Sequence, residues 1–175
     1  MAINLRGFVT AMNAAFSKLQ ADAIRSTYGY VSNSYKRTAQ TYSASTAFTE
    51  LTDLAVELPP GAHRFRFWLA TPSMTAAGGI KLQLVARDGL SVNAVTASAY
   101  YFLTGVAPDV TAITALSSAV NGGTTNAWTS VLVMGTIDVA QQGYLTLQAA
   151  QQAASGATTV GVGSSVDTQQ LTLAK

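Results

Sequence analysis

His63 is the single histidine of the chain and cysteine is absent, which removes most of the chemistry these residue types could support. A Ser-His-Asp triad would have to use His63, but no Gly-x-Ser-x-Gly nucleophile turn accompanies it. His63 follows Pro59-Pro60-Gly61 closely, which places it at a strand start. Zinc takes several nitrogen or sulfur ligands, and one histidine without cysteine cannot supply them. The eight carboxylates are scattered and form no Asp-x-Asp-x-Asp-Gly calcium loop. A carboxylate pair for glycoside hydrolysis depends on folded distance, on which spacing is silent. Gly161-Val162-Gly163 lacks the helix and acidic partner of a dinucleotide site. Gly78-Gly79-Ile80-Lys81 lacks the spacing of a P-loop. The expectation is no catalytic residue, no cofactor-binding residue and no metal site, hence a protein that is not an enzyme.

The residue types that do stand out belong to surfaces. In the run AHRFRFWLA, Phe65, Phe67 and Leu69 fall on one face of a strand, and Arg64, Arg66 and Trp68 on the other. In GYLTLQA, Leu145, Leu147 and Ala149 share a face, while Tyr144, Thr146 and Gln148 share the opposite one. Outward faces carrying Trp, Tyr, Arg and Gln have the composition of subunit contacts. Arg64, Arg66, Trp68, Tyr144 and Gln148 are therefore the candidate interface.

Composition points the same way. Apolar residues make up 49% of the chain and charged ones only 10%, far below the share of roughly a quarter in typical soluble domains. So little charge implies solvation by neutral hydroxyl and amide groups together with burial against other copies. The net charge of +2 is unevenly spread. Residues 1–40 hold five basic residues and one acid, and residues 41–175 hold five basic residues and seven acids. The basic N-terminal segment suits docking on an acidic partner, but its charges are too dispersed for nucleic acid. The N-terminus does not read as a secretory signal. No stretch of about eighteen apolar residues exists to span a bilayer, so no membrane insertion is expected.

The elements that position these residues follow from periodicity. Leu5, Phe8, Met12, Ala15 and Leu19 step by three and four, which predicts an amphipathic helix over residues 4–25. Leu5, Phe8, Met12 and Leu19 are its anchoring residues. Residues 26–47 are rich in tyrosine and hydroxyl groups and read as an extended arm, or else as a first strand. From Phe48 the period becomes two. Pro59-Pro60-Gly61 and Arg87-Asp88-Gly89 mark turns, the latter of hairpin type. Residues 105–127 read as a surface excursion with one helical turn near Val110–Leu116. Roughly eight to ten strands without intervening helices argue for an antiparallel β-sandwich or jelly roll. The domains expected are residues 1–47, an anchor and oligomerisation segment, and residues 48–175, the sandwich.

Two runs carry a family resemblance. ELPPGAHRFRFWLATPSMTAAGGIKLQL (57–84) resembles the strand–loop–strand opening of jelly rolls in bacteriophage virion proteins, a Leu-Pro-Gly-x-(Tyr/His)-x-Phe strand followed by a Gly-Ile-Lys strand. GYLTLQAAQQAASGATTVGVGSSVDTQQL (143–171) resembles their terminal hairpin. The architecture is similar to the C1q/TNF-like jelly roll, which assembles as a threefold trimer. The resemblance covers roughly residues 48–173 and implies a fibre, decoration or head–tail accessory protein located in the virion. Its implied partners are itself, as a homotrimer, and other virion proteins of capsid or tail through residues 1–47. A host surface glycan, bound by a fibre-tip module using residues 105–127, is the alternative partner. The absence of a collagen stalk and a secretion signal separates this chain from the animal members.

Overall fold

The computed structural model describes residues 31–71, 73–123 and 126–171. The helix expected over residues 4–25, with Leu5, Phe8, Met12 and Leu19, lies outside them. The described residues form thirteen strands. In chain order they are β1 (Val31–Tyr35), β2 (Gln40–Ser43), β3 (Thr49–Leu58), β4 (Gly61–Ala70), β5 (Ser73–Met74), β6 (Lys81–Arg87) and β7 (Ser91–Leu103). Then come β8 (Val106–Ile113), β9 (Val120–Asn121), β10 (Ser130–Gln141), β11 (Gly143–Ala150), β12 (Ala157–Val160) and β13 (Ser165–Gln170).

All observed pairings are antiparallel. A six-stranded sheet runs β1-β13-β4-β10-β7-β8, a four-stranded sheet β3-β11-β6-β9, and a three-stranded sheet β2-β12-β5. The first two make a β-sandwich, because alternation on each strand sends one set of side chains into a shared core. Phe65, Phe67 and Leu69 of β4, and Val131, Val133 and Ile137 of β10, enter from one sheet. Leu54, Val56 and Leu58 of β3, Leu82 and Leu84 of β6, and Leu145 and Leu147 of β11 enter from the other. Tyr42 and Val160 bring the three-stranded sheet into the same core.

Several elements differ from the sequence expectation. β1 pairs with β13, and β2 pairs with β12, so the boundary expected between residues 47 and 48 falls inside the fold. Tyr42, in the segment expected to be an arm or a first strand, lies on a strand and is 5% exposed in the core. The cause is long-range: β2 acquires its place from β12, more than a hundred residues away. The segment 105–127 is no plain loop. Val106–Ile113 is β8, turned back onto β7 by Thr104-Gly105, where a helical turn was expected. Arg87-Asp88-Gly89 is a tight turn, with Leu90 N donating to the Arg87 carbonyl at 3.1 Å. Yet it carries the chain from β6 in one sheet to β7 in the other, so it closes no hairpin. The expected terminal hairpin is likewise divided: β11, β12 and β13 each belong to a different sheet. A turn motif fixes a reversal of direction, whereas the sheet a strand joins is fixed by which core face it can fill.

β10 and β11 show this most clearly. One residue, Gln142, separates them, and the chain changes sheets there. Gly143 stands at that corner, where a Cβ would press on Leu90 Cα at 2.5 Å. A corner this tight accepts only glycine.

Candidate functional site

β4, β10 and β7 lie side by side in the six-stranded sheet, and their register sets the outward face. Directly opposed residues of neighbouring antiparallel strands share a face. One outward row reads Ser165, Trp68, Leu132, Tyr100, Val110, crossing β13, β4, β10, β7 and β8. The next reads Asp167, Arg66, Met134, Ser98, Ala112. The third begins Gln169, Arg64, Thr136, Thr96. Trp68 also meets Phe102 with ring centroids 6.0 Å apart. Trp68 and Met134 are each 39% exposed, and Val110 is 55% exposed. An apolar stripe four strands wide, from Trp68 to Val110, therefore faces away from the core.

Arg66 divides this face into two depressions. One, of about 310 Å³, is lined by Arg66, Trp68, Leu132 and Ser165. The other, of about 270 Å³, is lined by Arg64, Phe65, Arg66, Met134, Asp167 and Gln169. Arg66 donates from both Nε and Nη2 to Asp167 Oδ2, each at 2.9 Å. Both side chains are largely solvated, and such pairs contribute only about 0–1 kcal/mol. The pair's consequence is positional: it ties the guanidinium to Asp167, with Arg66 in the lining of both depressions. Arg64 has no ion-pair partner among the described residues.

Tyr144 and Gln148 sit elsewhere. Both point outward from the four-stranded sheet, on the far side of the core from Trp68. Tyr144 is flanked in register by Glu57 and Arg87. Gln148 accepts from Gln83 Nε2 at 2.6 Å, and Arg87 pairs with Glu50 across β11. The five candidate interface residues thus fall into two sets on opposite faces. Arg64, Arg66 and Trp68 are together, Tyr144 and Gln148 are together, and no single flat contact includes all five. Period two assigns a residue to the outside of its own sheet, but it cannot say which sheet that is.

Sequence reasoning missed Lys36, counted among basic residues free to dock on a partner. It is fully buried in the link between β1 and β2. Its Nζ donates to Gln40 Oε1 and to the Thr52 carbonyl, both at 3.1 Å. Burial lowers its pKa from the ordinary lysine value, and the nearby Asp53 charge opposes that. Lys36 fastens the β1–β2 link to β3 and offers nothing to a partner. Nothing local marks it; a lysine is read as solvated until tertiary contacts bury it.

His63 faces the core and is also fully buried. Its Nε2 donates to the Pro59 carbonyl at 2.7 Å, which leaves Nδ1 without a partner. Burial lowers its pKa below 6.5, against smaller opposing effects from the Pro59 hydrogen bond and Asp138. The unfolded chain therefore takes up a proton first as pH falls. Stability is complete above the unfolded value of 6.5 and declines as pH drops through it toward the folded value. In urea unfolding series from pH 7.5 downward, His63→Gln is expected to show a shallower loss across that window than the parent. Equal slopes would mean that His63 titrates alike in both states.

Among the described residues, no group of three or more His, Asp or Glu side chains is gathered closely enough to hold a metal ion. No family model matches the chain, and no curated protein matches it. Among solved structures, the chain is similar to one titled "Structure of infectious bursal disease virus Gx strain", at 12% identity and a TM-score of 0.23. The match covers 79% of this chain and 38% of that one, so the chain spans well under half of the neighbour's length. A likeness at that score bears on neither fold family nor function.

Proposed function

We propose that this chain is a non-enzymatic structural component of a bacteriophage virion: a homotrimeric decoration, fibre or head–tail accessory protein attached through its N-terminal segment. The observation that carries the proposal is the outward apolar row of Trp68, Leu132, Tyr100 and Val110 in a chain with only 10% charged residues. Contiguous exposed apolar surface of this kind marks contact sites. Covering it with another copy removes apolar area from water, each 100 Å² contributing roughly 2.5 kcal/mol before the costs of association. The activity is assembly, and turnover has no part in it.

The finer fold reading, a C1q/TNF-like jelly roll, is supported by strand order. Setting aside β2, β5, β7, β8 and β12 leaves eight strands: β1, β3, β4, β6, β9, β10, β11 and β13. Numbered one to eight in that order, they sit as 1-8-3-6 in one sheet and 2-7-4-5 in the other. That interleaving matches the strand order of a double Greek key, which supports the jelly-roll reading. The two phage-like sequence runs supply the virion part of the reading.

Light scattering of the purified full chain tests it. The expected mass is three chains. Trp68→Arg, at a solvent-facing position, is expected to lower the mass toward one chain while the far-ultraviolet circular dichroism stays unchanged. A parent protein that runs as a clean monomer sinks the proposal.

A further inference from the structure

We infer that Asn121 is a site of self-modification, converted through a cyclic imide to aspartate or isoaspartate when β9 leaves β6. The site is separate from the contact proposed between copies, since β9 belongs to the four-stranded sheet and Trp68 to the six-stranded one.

The chain has six asparagines, and only Asn121 is followed by glycine. A side chain on the following residue shields that residue's backbone nitrogen, and Gly122 has none. Packing forbids one there. A Cβ on Gly122 would lie 2.5 Å from the Tyr101 ring and 2.9 Å from Trp128 Nε1. Tyr101 and Trp128 are both buried, with ring centroids 5.8 Å apart. This aromatic pair thus demands the one residue type that leaves Asn121 most reactive. Asn121 itself is exposed, so water and base reach it.

The chemistry needs only these two residues and water. The Gly122 nitrogen, having lost its proton to solvent base, attacks Asn121 Cγ. The N–Cγ bond forms, the Cγ–Nδ2 bond breaks, and Nδ2 takes a proton from water and leaves as ammonia. Water then opens the imide. Cleavage of the N–Cγ bond gives aspartate. Cleavage of the bond from that nitrogen to the Asn121 backbone carbonyl carbon gives isoaspartate, whose main chain runs through Cβ and Cγ.

The folded chain occupies the nucleophile. Gly122 N donates to the Ile80 carbonyl at 3.1 Å, and the Gly122 carbonyl accepts from Trp128 Nε1 at 2.7 Å. These bonds extend a short ladder in which Leu82 pairs with Val120 and Lys81 with Asn121. β9 has only two residues and ends its sheet, so its release is a local opening well below the cost of global unfolding. The two products fit the ladder differently. An aspartate opposite Lys81 faces a cation across the strands, which suits the pairing. Isoaspartate lengthens the main chain by one carbon and carries Gly122 out of register with Ile80 and Trp128. Release of β9 then becomes permanent.

The test incubates the purified full chain at mildly alkaline pH, folded or in urea, and follows the Asn121 peptide by mass and isoaspartate content. Conversion at Asn121 is expected in both, about tenfold or more slower in the folded chain. Val120→Ala removes part of the buried hold on β9 and is expected to speed the folded reaction roughly threefold or more. Circular dichroism reports whether that variant folds. Urea below the unfolding transition makes the same test on the parent, whose rate is expected to rise while the circular dichroism stays constant. As isoaspartate accumulates, tryptophan emission is expected to shift to the red, whereas directly made Asn121→Asp keeps the parent emission. Equal rates in folded and unfolded chain, or a folded rate unmoved by both Val120→Ala and low urea, overturn the gating by β9. A folded chain still unmodified at Asn121 after many unfolded half-times overturns the site itself.

Discussion

Phe67→Ala is expected to cost the fold about 3–5 kcal/mol, as is usual when a fully buried aromatic ring is truncated. Phe67 has no solvent exposure and lies on β4, with β13 on one side and β10 on the other. Val166 and Val133 oppose it in register, and the Phe65 ring meets it edge-on with centroids 6.1 Å apart. These neighbours belong to separate strands held by their own ladders, so they cannot collapse together into the vacated space. Domains are stable by only about 5–15 kcal/mol, so the loss is a large share of the total. At this chain length each kcal/mol lowers the melting temperature by roughly 2–4 °C. Urea unfolding at constant m-value measures it directly. A loss under about 1 kcal/mol would place the ring at the margin of the core. The adjacent residue gives the contrast: substitution of Trp68, on the opposite face, is expected to act through assembly, moving the unfolding midpoint only as far as it dissociates the copies.

Gly135→Val is expected to be comparably damaging for the opposite reason, excess volume. Gly135 takes an inward turn of the β10 alternation, between Val133 and Ile137, and lies opposite Ala97 of β7. A Cβ there would run into the Thr96 carbonyl and sit 2.5 Å from both Ala97 Cα and Ala97 Cβ. The obstruction is mostly backbone, which a side-chain rotation cannot relieve. Overpacking of a well-filled interior costs typically about 1–3 kcal/mol, and a branched residue against backbone belongs at the upper end. Ala97→Gly in the same chain removes one of the clashing atoms and leaves the Thr96 carbonyl in place, so only partial recovery is expected. Full recovery would show that the Ala97 methyl was the sole obstacle. Parent-like stability of Gly135→Val would mean that β10 and β7 separate readily here. Such separation would also break the outward row, since Leu132 and Tyr100 are opposed across the same two strands.

The outward site was partly legible before folding. Arg64, Arg66 and Trp68 are set by parity alone once Phe65 and Phe67 are recognised as inward. Leu132, Tyr100 and Val110 complete the row, yet Leu132 and Tyr100 sit in stretches where the residues near them are also apolar or small, and Val110 follows Pro108-Asp109. Period two has no contrast to act on in Val131-Leu132-Val133-Met134, and only the register with β4 shows that Leu132 and Met134 face out. Residues 106–113 read from sequence as a surface excursion with a helical turn beginning near Val110, because Pro108 and the surrounding Ala and Thr dilute the strand signal. Lys36 was assigned to solvent because burial of a lysine depends on acceptors supplied by Gln40 and by Thr52, on another strand.

Two kinds of information separate along these lines. The sequence by itself determined the β class, the inward faces of β4, β6 and β11, the tight turns, and the scarcity of catalytic residue types. All of these are local: they depend on side-chain polarity alternating along a few residues, or on the dihedral freedom of Pro, Asp and Gly. Only the tertiary structure decided which sheet each strand joins, that Trp68 and Tyr144 look in opposite directions, and that Lys36 and Tyr42 are interior. It also decided that apolar residues of three other strands line up with Trp68 in one outward row. Those outcomes depend on hydrogen-bond register between strands far apart in the chain. Register is selected by the fit of entire faces around a common core, which no local pattern encodes.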